Sequence, residues 1–153
     1  MQDELFGYLE YDFLWQGQME LKIYNRSYNV LLSIECDEDE DISELQRQSM
    51  VEFLKNEAKI INEVEQAIFQ YYQSICSLKR EKNVKNIDEI APIVYRIDEV
   101  GKLVKPVNFY IRNTEAERTI SILFECTWDF DLGVGVQLVN EKVTNVGVQN
   151  DVL

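Results

Sequence analysis

A helical stretch from about Ser43 to Lys79 constrains the fold of this chain more than any other part of the sequence. Its apolar residues recur in steps of three and four, which is the period of one helix face. Glutamate, lysine, glutamine, serine and asparagine occupy most of the other positions, as on the solvent-facing side of a packed helix. The pattern predicts an amphipathic segment that buries one stripe. The stripe comprises Leu45, Met50, Phe53/Leu54, Ala58, Ile61, Val64, Ile68, Tyr71/Tyr72, Ile75 and Leu78.

The beginning of this segment carries the signals of a helix amino terminus. The acidic run 37–41 precedes it and complements the positive end of the helix dipole. Asp41 or Ser43 can serve as the N-cap, and Glu44 or Gln46 can then complete a capping box. We therefore expect the helix to begin close to these residues.

The length of the segment predicts an interruption within it. A continuous helix over residues 43–79 would be roughly 55 Å long. A globule of this size is only roughly 40 Å across, so a straight helix would overhang it. Asparagine is a weak helix former and a good cap, and we predict a kink or break at Asn56-Glu57.

Alternating apolar and polar residues on both sides of the helical segment predict β-strands, and the short gaps between them predict hairpins. In the first strand, Leu5, Leu9, Tyr11, Phe13 and Trp15 are expected to share one face. Residues 83–105 predict only a short helix or strand near 87–95 and a turn at Val100-Gly101. The predicted strands span residues 5–15, 19–24 and 28–36 before the helix and 106–112, 118–128, 134–139 and 143–148 after it.

Strands, then helix, then strands is the order of an α+β fold. We expect an antiparallel sheet of about six or seven strands packed on a long central helical segment, with residues 1–153 forming a single domain. The helix has one apolar stripe and the strands have one apolar parity, so these two surfaces should bury each other. The residues predicted to meet are Leu54, Ile61, Val64, Ile68 and Ile75 from the helix and Met19, Leu21, Ile23, Val30, Leu32, Ile34, Phe124 and Trp128 from the strands.

The charge of the chain is strongly acidic and unevenly distributed. The net charge is −13, from 28 acidic and 15 basic residues, and residues 1–41 hold 11 of the acidic side chains against two basic ones. Such a surface repels nucleic acid and anionic membranes and steers a basic partner toward it. We expect a basic protein partner, no nucleic acid and no membrane. The sequence does not define an oligomeric state.

The amino-terminal residues and the cysteines predict a cytoplasmic protein. Met1-Gln2-Asp3-Glu4 is acidic and lacks the features of a signal peptide, and no apolar run approaches the length of a membrane span. Cys36, Cys76 and Cys126 are odd in number, far apart and on apolar positions. We interpret them as buried, reduced thiols.

The sequence offers no familiar catalytic or metal-binding arrangement. There is no histidine, which removes Ser-His-Asp and Cys-His chemistry and the usual zinc ligand sets. Asp37-x-Asp39-x-Asp41 begins like a calcium loop, but Ile42 and Gln48 occupy the positions that require glycine and glutamate. We therefore predict no catalytic residue, no metal and no cofactor.

A carboxylate group near the carboxyl terminus supports an alternative hypothesis. Glu125, Asp129 and Asp131 follow one another at strand spacing, on the polar parity of the predicted strand. Two carboxylates in a cleft can perform the acid–base chemistry of a glycosidase. The alternative is a glycan-directed hydrolase that uses Asp129 and Asp131, whereas a solvated strand end that leads into a turn explains the same pattern without chemistry.

Several short motifs resemble those of a group of uncharacterised bacterial domains of unknown function. The shared features are a strand ending in Trp-Asp, an acidic turn leading to Gly-x-Gly, a closing Val-Gly-x-Gln, and similar amino-terminal motifs. Members often carry a histidine before the first glycine of the turn, where this chain has Leu132. The residues concerned are Phe6-Gly7, Trp15-Gln16-Gly17, Trp128-Asp129, Gly133-Val134-Gly135 and Val146-Gly147-Val148-Gln149.

The resemblance implies a bacterial origin and a small cytoplasmic single domain. Some such domains look like relatives of immunity proteins encoded beside polymorphic toxins, and no catalytic residue can be carried over from them. Together with the charge, this favours a non-enzymatic acidic protein-binding domain, in particular an immunity protein that neutralises a basic toxin. A structural or regulatory domain with a merely solubilising acidic face is a further alternative. The predicted partner-binding residues are Glu35, Asp37, Glu38, Asp39, Glu40 and Asp41.

Overall fold

The computed structural model describes residues 1–82 and 84–153, which form an α+β fold. A seven-stranded sheet carries helices on one face, and a small two-stranded hairpin lies at the amino terminus. The elements in chain order are β1 (Gln2–Asp3), β2 (Gly7–Tyr8), β3 (Glu10–Asp12), β4 (Leu14–Ile23), β5 (Arg26–Ile34), α1 (Glu44–Lys55), α2 (Glu57–Arg80), α3 (Ile87–Ile90), α4 (Ile97–Val100), β6 (Val104–Ile111), β7 (Thr119–Cys126), β8 (Val134–Val139), β9 (Lys142–Gly147) and a carboxyl-terminal 3₁₀ helix (Gln149–Val152).

The large sheet has the order β3-β4-β5-β6-β7-β8-β9, so each strand lies beside its neighbours in sequence. All pairs are antiparallel except β5 and β6, which run parallel with Leu32 opposite Phe109. Two parallel neighbours require a crossover connection, and the helical segment supplies it. The α+β class and the mostly antiparallel sheet are confirmed, and the parallel pair is a departure from the predicted all-antiparallel sheet.

The helical segment consists of two helices that meet at Asn56, so the predicted interruption at Asn56-Glu57 is confirmed. Asn56 has φ −119° and ψ 23°, outside helical geometry, and its Nδ2 donates to the Glu52 carbonyl at 2.9 Å. The start is also as predicted. The Ser43 side chain accepts from the Gln46 amide and the Gln46 side chain accepts from the Ser43 amide, which completes the capping box.

The core lies between the helices and the facing side of the sheet. The predicted strand face is confirmed, with Leu21, Ile23, Val30, Leu32, Ile34, Phe124 and Trp128 buried and Met19 packed against them. Of the predicted helix residues, Ile61, Val64 and Ile68 are buried and Ile75 is partly buried. The prediction for Leu54 is wrong, because its side chain is 49% exposed. Its neighbour Phe53 occupies the core instead, with its ring 4.7 Å from that of Phe109.

The amino-terminal segment differs most from its predicted form. Residues 5–15 were expected to form one strand, but they form β2, β3 and the start of β4. Asp12 lies opposite Leu14, so the chain reverses at Phe13, which has φ 63° and is 89% exposed. The inward position predicted for Phe13 is therefore wrong. A reversal at a single residue turns its side chain away from the face that Trp15 occupies.

The stretch before β6 packs along α2 and closes one side of the core. Tyr72 Oη donates to the Pro92 carbonyl at 2.5 Å, and Gln73 Nε2 donates to the Val94 carbonyl at 2.9 Å. α3 and α4 lie within the predicted region 83–105, and Val100-Gly101 ends α4. Asn83, at the start of that region, lies outside the described residues.

The carboxyl-terminal 3₁₀ helix packs on the opposite face of the sheet, where glycines make room for it. A Cβ atom on Gly133 would lie 2.5 Å from the Phe124 carbonyl oxygen, and one on Gly135 would lie 2.3 Å from Val152 Cγ2. Gln149 Nε2 donates to that same Phe124 carbonyl at 2.9 Å. Because a side chain at either glycine would clash with these atoms, Gly133-Val134-Gly135 has a packing role here.

Candidate functional site

The most distinctive surface feature is the acidic loop, which we define as residues 37–41. It connects β5 to α1, and the side chains of Asp37, Glu38, Asp39, Glu40 and Asp41 are all exposed. In the described part of the chain, no ion pair involves any of these five carboxylates. The loop therefore presents uncompensated negative charge to solvent.

Glu35 differs from the other predicted partner-binding residues because the fold uses its carboxylate. Its Oε2 accepts hydrogen bonds from Arg112 Nε at 3.1 Å and from the Asn113 amide at 2.8 Å. Its backbone carbonyl accepts from Gln46 Nε2 at 2.8 Å. Glu35 thereby joins the end of β5 to the end of β6 and to the start of α1. These contacts fix the position of the chain just before the acidic loop.

Cys36, which directly precedes the acidic loop, forms hydrogen bonds that hold the loop in place. Its buried Sγ donates to the carbonyl oxygens of Asp37 and Glu40, each at 3.5 Å, and the Glu40 amide donates to the Asp37 carbonyl at 3.2 Å. Burial, followed by the nearby Glu40 carboxylate, raises the pKa of the Cys36 thiol. The sulfur therefore stays a protonated donor, and its hydrogen bonds hold the loop in a compact form.

Aromatic side chains lie beside the acidic loop. Tyr11 lines an open cavity of about 490 Å³ together with Asp37, Glu38 and Asp39. The Tyr11 ring packs edge-on against Trp15 at 5.3 Å between centroids. Trp15 lies opposite Ile34, the last residue of β5, so the reversal at Phe13 is at the same end of the sheet as the loop.

Sequence reasoning found the acidic loop but missed these aromatic neighbours. Tyr11 and Phe13 fit an inward strand parity, and only Asp12 in the reversal is a common turn former. The structure brings Asp37, Glu38 and Asp39 together with Tyr11 around one cavity. Within residues 1–82 and 84–153, no group of three or more acidic or cysteine side chains is arranged to hold a metal ion.

The two carboxylates of the hydrolase alternative have different surroundings. Asp129 Oδ1 accepts from the Leu132 amide at 3.1 Å, and its Oδ2 lies 3.5 Å from Lys79 Nζ. Asp131 is exposed within the same turn. The preceding Trp128 is buried, with its ring 4.8 Å from that of Tyr72. Asp129 therefore stabilises the turn between β7 and β8 and ties it to α2.

A second cavity, the hairpin–helix groove, lies between the β4–β5 hairpin and the first half of α2. Its volume is about 620 Å³, and the sequence pattern did not predict it because its walls come from distant parts of the chain. The groove is lined by Glu20, Lys22, Ile23, Tyr24, Asn25, Arg26, Ser27, Glu57, Ala58, Ile61, Asn62 and Glu65.

The cysteines and the helices bear on two further predictions. Cys36, Cys76 and Cys126 are all free and buried, as predicted. Burial raises the pKa of the Cys126 thiol to about 11, so this sulfur is not a reactive thiolate near neutral pH. None of the helices in the described part of the chain combines the length and the apolar character that crossing a bilayer requires.

These features describe an α+β protein with helices on one sheet face and an acidic loop at the start of its crossover. The chain belongs to the family described as a domain of unknown function (DUF6985), whose model matches residues 5–153. No curated protein and no solved structure shows significant similarity to it. The expected relation to an uncharacterised family is confirmed, and the motif residues Gly133, Trp128 and Gln149 serve packing and turn formation.

Proposed function

We propose that this protein is a non-enzymatic binding domain that engages a basic protein partner through the acidic loop. The specific form we favour is a bacterial, cytoplasmic immunity protein that neutralises a basic toxin. The observation that carries the proposal is the contrast between Glu35, whose carboxylate has internal partners, and residues 37–41, whose carboxylates are exposed without ion pairs in the described structure.

The acidic loop suits fast, charge-guided association. Uncompensated charge on an exposed segment raises the rate at which an oppositely charged protein finds it. The loop is also organised in advance by the Cys36 hydrogen bonds, by the Glu35 contacts and by the capping box at Ser43. Less conformational freedom is then lost on binding, which favours affinity.

The aromatic residues beside the loop supply the short-range part of the interaction. Phe13 is almost fully exposed, so its side chain gains little from packing within the fold. Its backbone also adopts the left-handed region, which is costly for a bulky residue. Strained conformations of this kind concentrate at functional sites. Tyr11 borders the cavity beside Asp37, where a lysine or arginine can contact both a carboxylate and a ring face. We assign Tyr11 and Phe13 as anchors for the partner.

A comparison of two charge variants tests the proposal. The first variant neutralises the whole acidic loop by the five substitutions Asp37→Asn, Glu38→Gln, Asp39→Asn, Glu40→Gln and Asp41→Asn. The control removes the same number of exposed carboxylates elsewhere, by the same amide substitutions at Glu81, Glu89, Glu125, Asp131 and Asp151. Each protein is used to capture partners from the native cell extract at low salt, and association rates are then measured with the captured protein.

We expect the control to retain a basic protein and the loop variant to lose it, with an association rate at least about tenfold lower at low salt. Capture that survives neutralisation of the loop would contradict the proposed site. If neither wild type nor control retains a protein partner, the binding function itself is refuted and a structural or regulatory role is favoured. Glycan cleavage that is lost in Asp129→Asn would instead favour the hydrolase.

A further inference from the structure

The turn between β7 and β8 carries the most exposed large apolar side chain in the described part of the chain. Phe130 is 94% exposed, and Leu132 in the same turn is 46% exposed. Leu78, near the end of α2, is 64% exposed. Isolated apolar residues are normal on a protein surface, whereas a group of them edged by polar residues marks an interaction site. What matters is therefore whether these three side chains belong to one surface.

An ion pair between α2 and the turn brings the three apolar side chains to one end of the molecule. Lys79 Nζ lies 3.5 Å from Asp129 Oδ2. Leu78 directly precedes Lys79 in α2, and Phe130 directly follows Asp129 in the turn. The exposed apolar residues of both elements thus lie around this ion pair. We call the surface formed by Leu78, Phe130 and Leu132 the turn–helix patch.

Hydrogen bonds hold the backbone of the turn in place. Asp129 Oδ1 accepts from the Leu132 amide at 3.1 Å, and the Asp129 carbonyl accepts from the Gly133 amide at 3.0 Å. That carbonyl also accepts from Cys126 Sγ at 3.5 Å. The Gln149 amide donates to the Leu132 carbonyl at 3.1 Å. Because the turn is already ordered, less conformational freedom is lost when another protein covers the patch.

The free charges beside the patch have both signs. Lys82 follows the end of α2, four residues after Leu78, and Asp131 stands between Phe130 and Leu132. Both charged side chains are exposed. In the part of the chain that the structure describes, neither of them takes part in an ion pair. The edge of the patch thus offers one free ammonium group and one free carboxylate.

This arrangement fits a second copy of the chain better than a strongly charged partner. A basic protein is attracted to the acidic loop, and the ammonium group of Lys82 repels it here. An acidic protein is repelled by the net charge of −13 without finding a cationic surface in return. In a two-fold dimer the same patch meets itself, so each Lys82 can face Asp131 of the second copy. Both free charges then find a partner of opposite sign.

We propose that the turn–helix patch joins two copies of this chain in a two-fold dimer. Phe130 and Leu78 of each copy pack together at the centre, and two pairs between Lys82 and Asp131 at the rim set the orientation. Burying Phe130 removes roughly 150–250 Å² from water in each copy. A standard interface buries about 800 Å² per partner, so this centre suits a weak dimer. We expect a dissociation constant on the order of 0.1 mM.

The patch lies at the opposite end of the sheet from the acidic loop. β6 begins at Val104, opposite Cys126, which leads into the turn. It ends at Ile111, opposite Ile34, which leads into the acidic loop. A strand of eight residues is roughly 25 Å long. The dimer therefore leaves both acidic loops free, and it does not depend on the proposed binding of a basic partner.

Sedimentation equilibrium of the full chain tests the dimer. Concentrations run from about 0.01 to 1 mM in about 0.15 M sodium chloride, where repulsion between the acidic copies is screened beyond about 8 Å. We expect a monomer–dimer equilibrium, with a dissociation constant at least about tenfold higher in Phe130→Ser and in Leu78→Ser. A wild type that stays monomeric at the highest concentration, or that grows beyond a dimer, would overturn the proposal.

The matched control is Leu54→Ser. Leu54 is also an exposed leucine near the end of a helix, but it lies at the end of α1, and the 24 residues of α2, roughly 36 Å, separate it from the patch. This variant should dimerise as the wild type does. An equal loss in Leu54→Ser would mean that any exposed apolar residue promotes association, which refutes the patch.

Exchange of charges tests the two-fold pairing. Lys82→Glu and Asp131→Lys each create two pairs of like charge in their own dimer, so each should self-associate at least about tenfold more weakly than the wild type. When the two variants are mixed, both pairs again have opposite charges. We expect labelled Asp131→Lys to bind Lys82→Glu with an affinity close to that of the wild-type dimer. Failure of the mixture to associate would refute the two-fold arrangement.

Lys59→Glu is the control for net charge in the mixing experiment. It changes the charge by the same amount at an exposed position near the start of α2. It should bind labelled Asp131→Lys less tightly than Lys82→Glu does, because one like-charged pair remains. Equal binding of the two would mean that total charge governs association. All substituted residues are exposed, so thermal melts should match the wild type; if one variant is unfolded, the others decide the question.

Discussion

Among single residues, the ion pair between Asp3 and Arg47 connects the amino-terminal hairpin to α1. Arg47 Nη1 and Nη2 lie 3.2 and 2.8 Å from the two carboxylate oxygens, and Asp3 Oδ1 also accepts from the amides of Leu5 and Phe6. The hydrogen bond from Arg47 is the main cause that lowers the pKa of Asp3 from 3.8 to about 2. The folded state therefore favours the ionised form of the Asp3 carboxylate more than the unfolded chain does.

The Asp3 carboxylate makes the stability of the protein depend on acid pH. Because its folded pKa is depressed, its contribution is complete above pH 3.8 and is lost as the pH falls through about 2. We expect Asp3→Asn to lower the free energy of unfolding by about 2 kcal/mol at pH 6 and by much less near pH 2. Urea melts of both proteins at several pH values measure this. A constant difference between them across pH would contradict the role of the charge.

A core residue of α2 gives a second prediction about a single side chain. Ile68 is fully buried, and its truncation to alanine should lower the free energy of unfolding by about 2–5 kcal/mol. Gln66 on the exposed side of the same helix is the matched control, and Gln66→Ala should stay within about 0.5 kcal/mol. Urea melts with unchanged slopes decide the comparison. Equal midpoints would mean that the stripe does not face the sheet.

For whole strands and helices, local patterns predicted the structure well where apolar and polar residues alternate or where apolar residues recur at helical spacing. The break at Asn56 followed from helix length and residue type, and β7 and β8 followed from clean alternation. The reversal at Phe13 did not, since a single-residue turn leaves no local signal in an alternating run. The groove could not be predicted either, because Tyr24, Glu65 and Gly101 meet only through the tertiary fold.

The carboxyl-terminal 3₁₀ helix gives a prediction about packing between elements. In Gly135→Ala the new Cβ would lie 2.3 Å from Val152 Cγ2, so the 3₁₀ helix must shift. We expect a loss of about 1–3 kcal/mol in the free energy of unfolding. Combining it with Val152→Ala removes the clash, so the double variant should lose less than the sum of the two single variants. Additive losses in urea melts would show that Gly135 matters for another reason.

The whole molecule carries a net charge of −13, and within the described residues the carboxylates of the acidic loop form no ion pairs. Like charges in a compact state repel one another, and salt screens this repulsion over roughly 10 Å at 0.1 M. The charge excess was evident from the sequence, and so was the position of the loop. The internal pairing of Glu35 with Arg112 was not, because β5 and β6 are distant in sequence.

Salt dependence of stability measures this repulsion directly. We expect the melting temperature of the wild type to rise as sodium chloride increases from about 0.01 to 0.15 M, a range in which screening grows strongly. The variant with residues 37–41 neutralised should gain less over the same range. The control variant with five neutralised carboxylates elsewhere removes the same net charge. If both variants respond alike, total charge and not the clustering in the loop governs the effect.

The parallel pairing of β5 with β6 has a consequence for how the chain reaches this structure. It joins two local antiparallel arrays, β3–β5 and β6–β9, across a connection from Ile34 to Val104. Each array consists of neighbours in sequence, whereas the seam between them must close a very long loop before its contacts form. We therefore expect the search for one short register, in which Leu31 to Ile34 find Asn108 to Ile111, to limit the rate of folding.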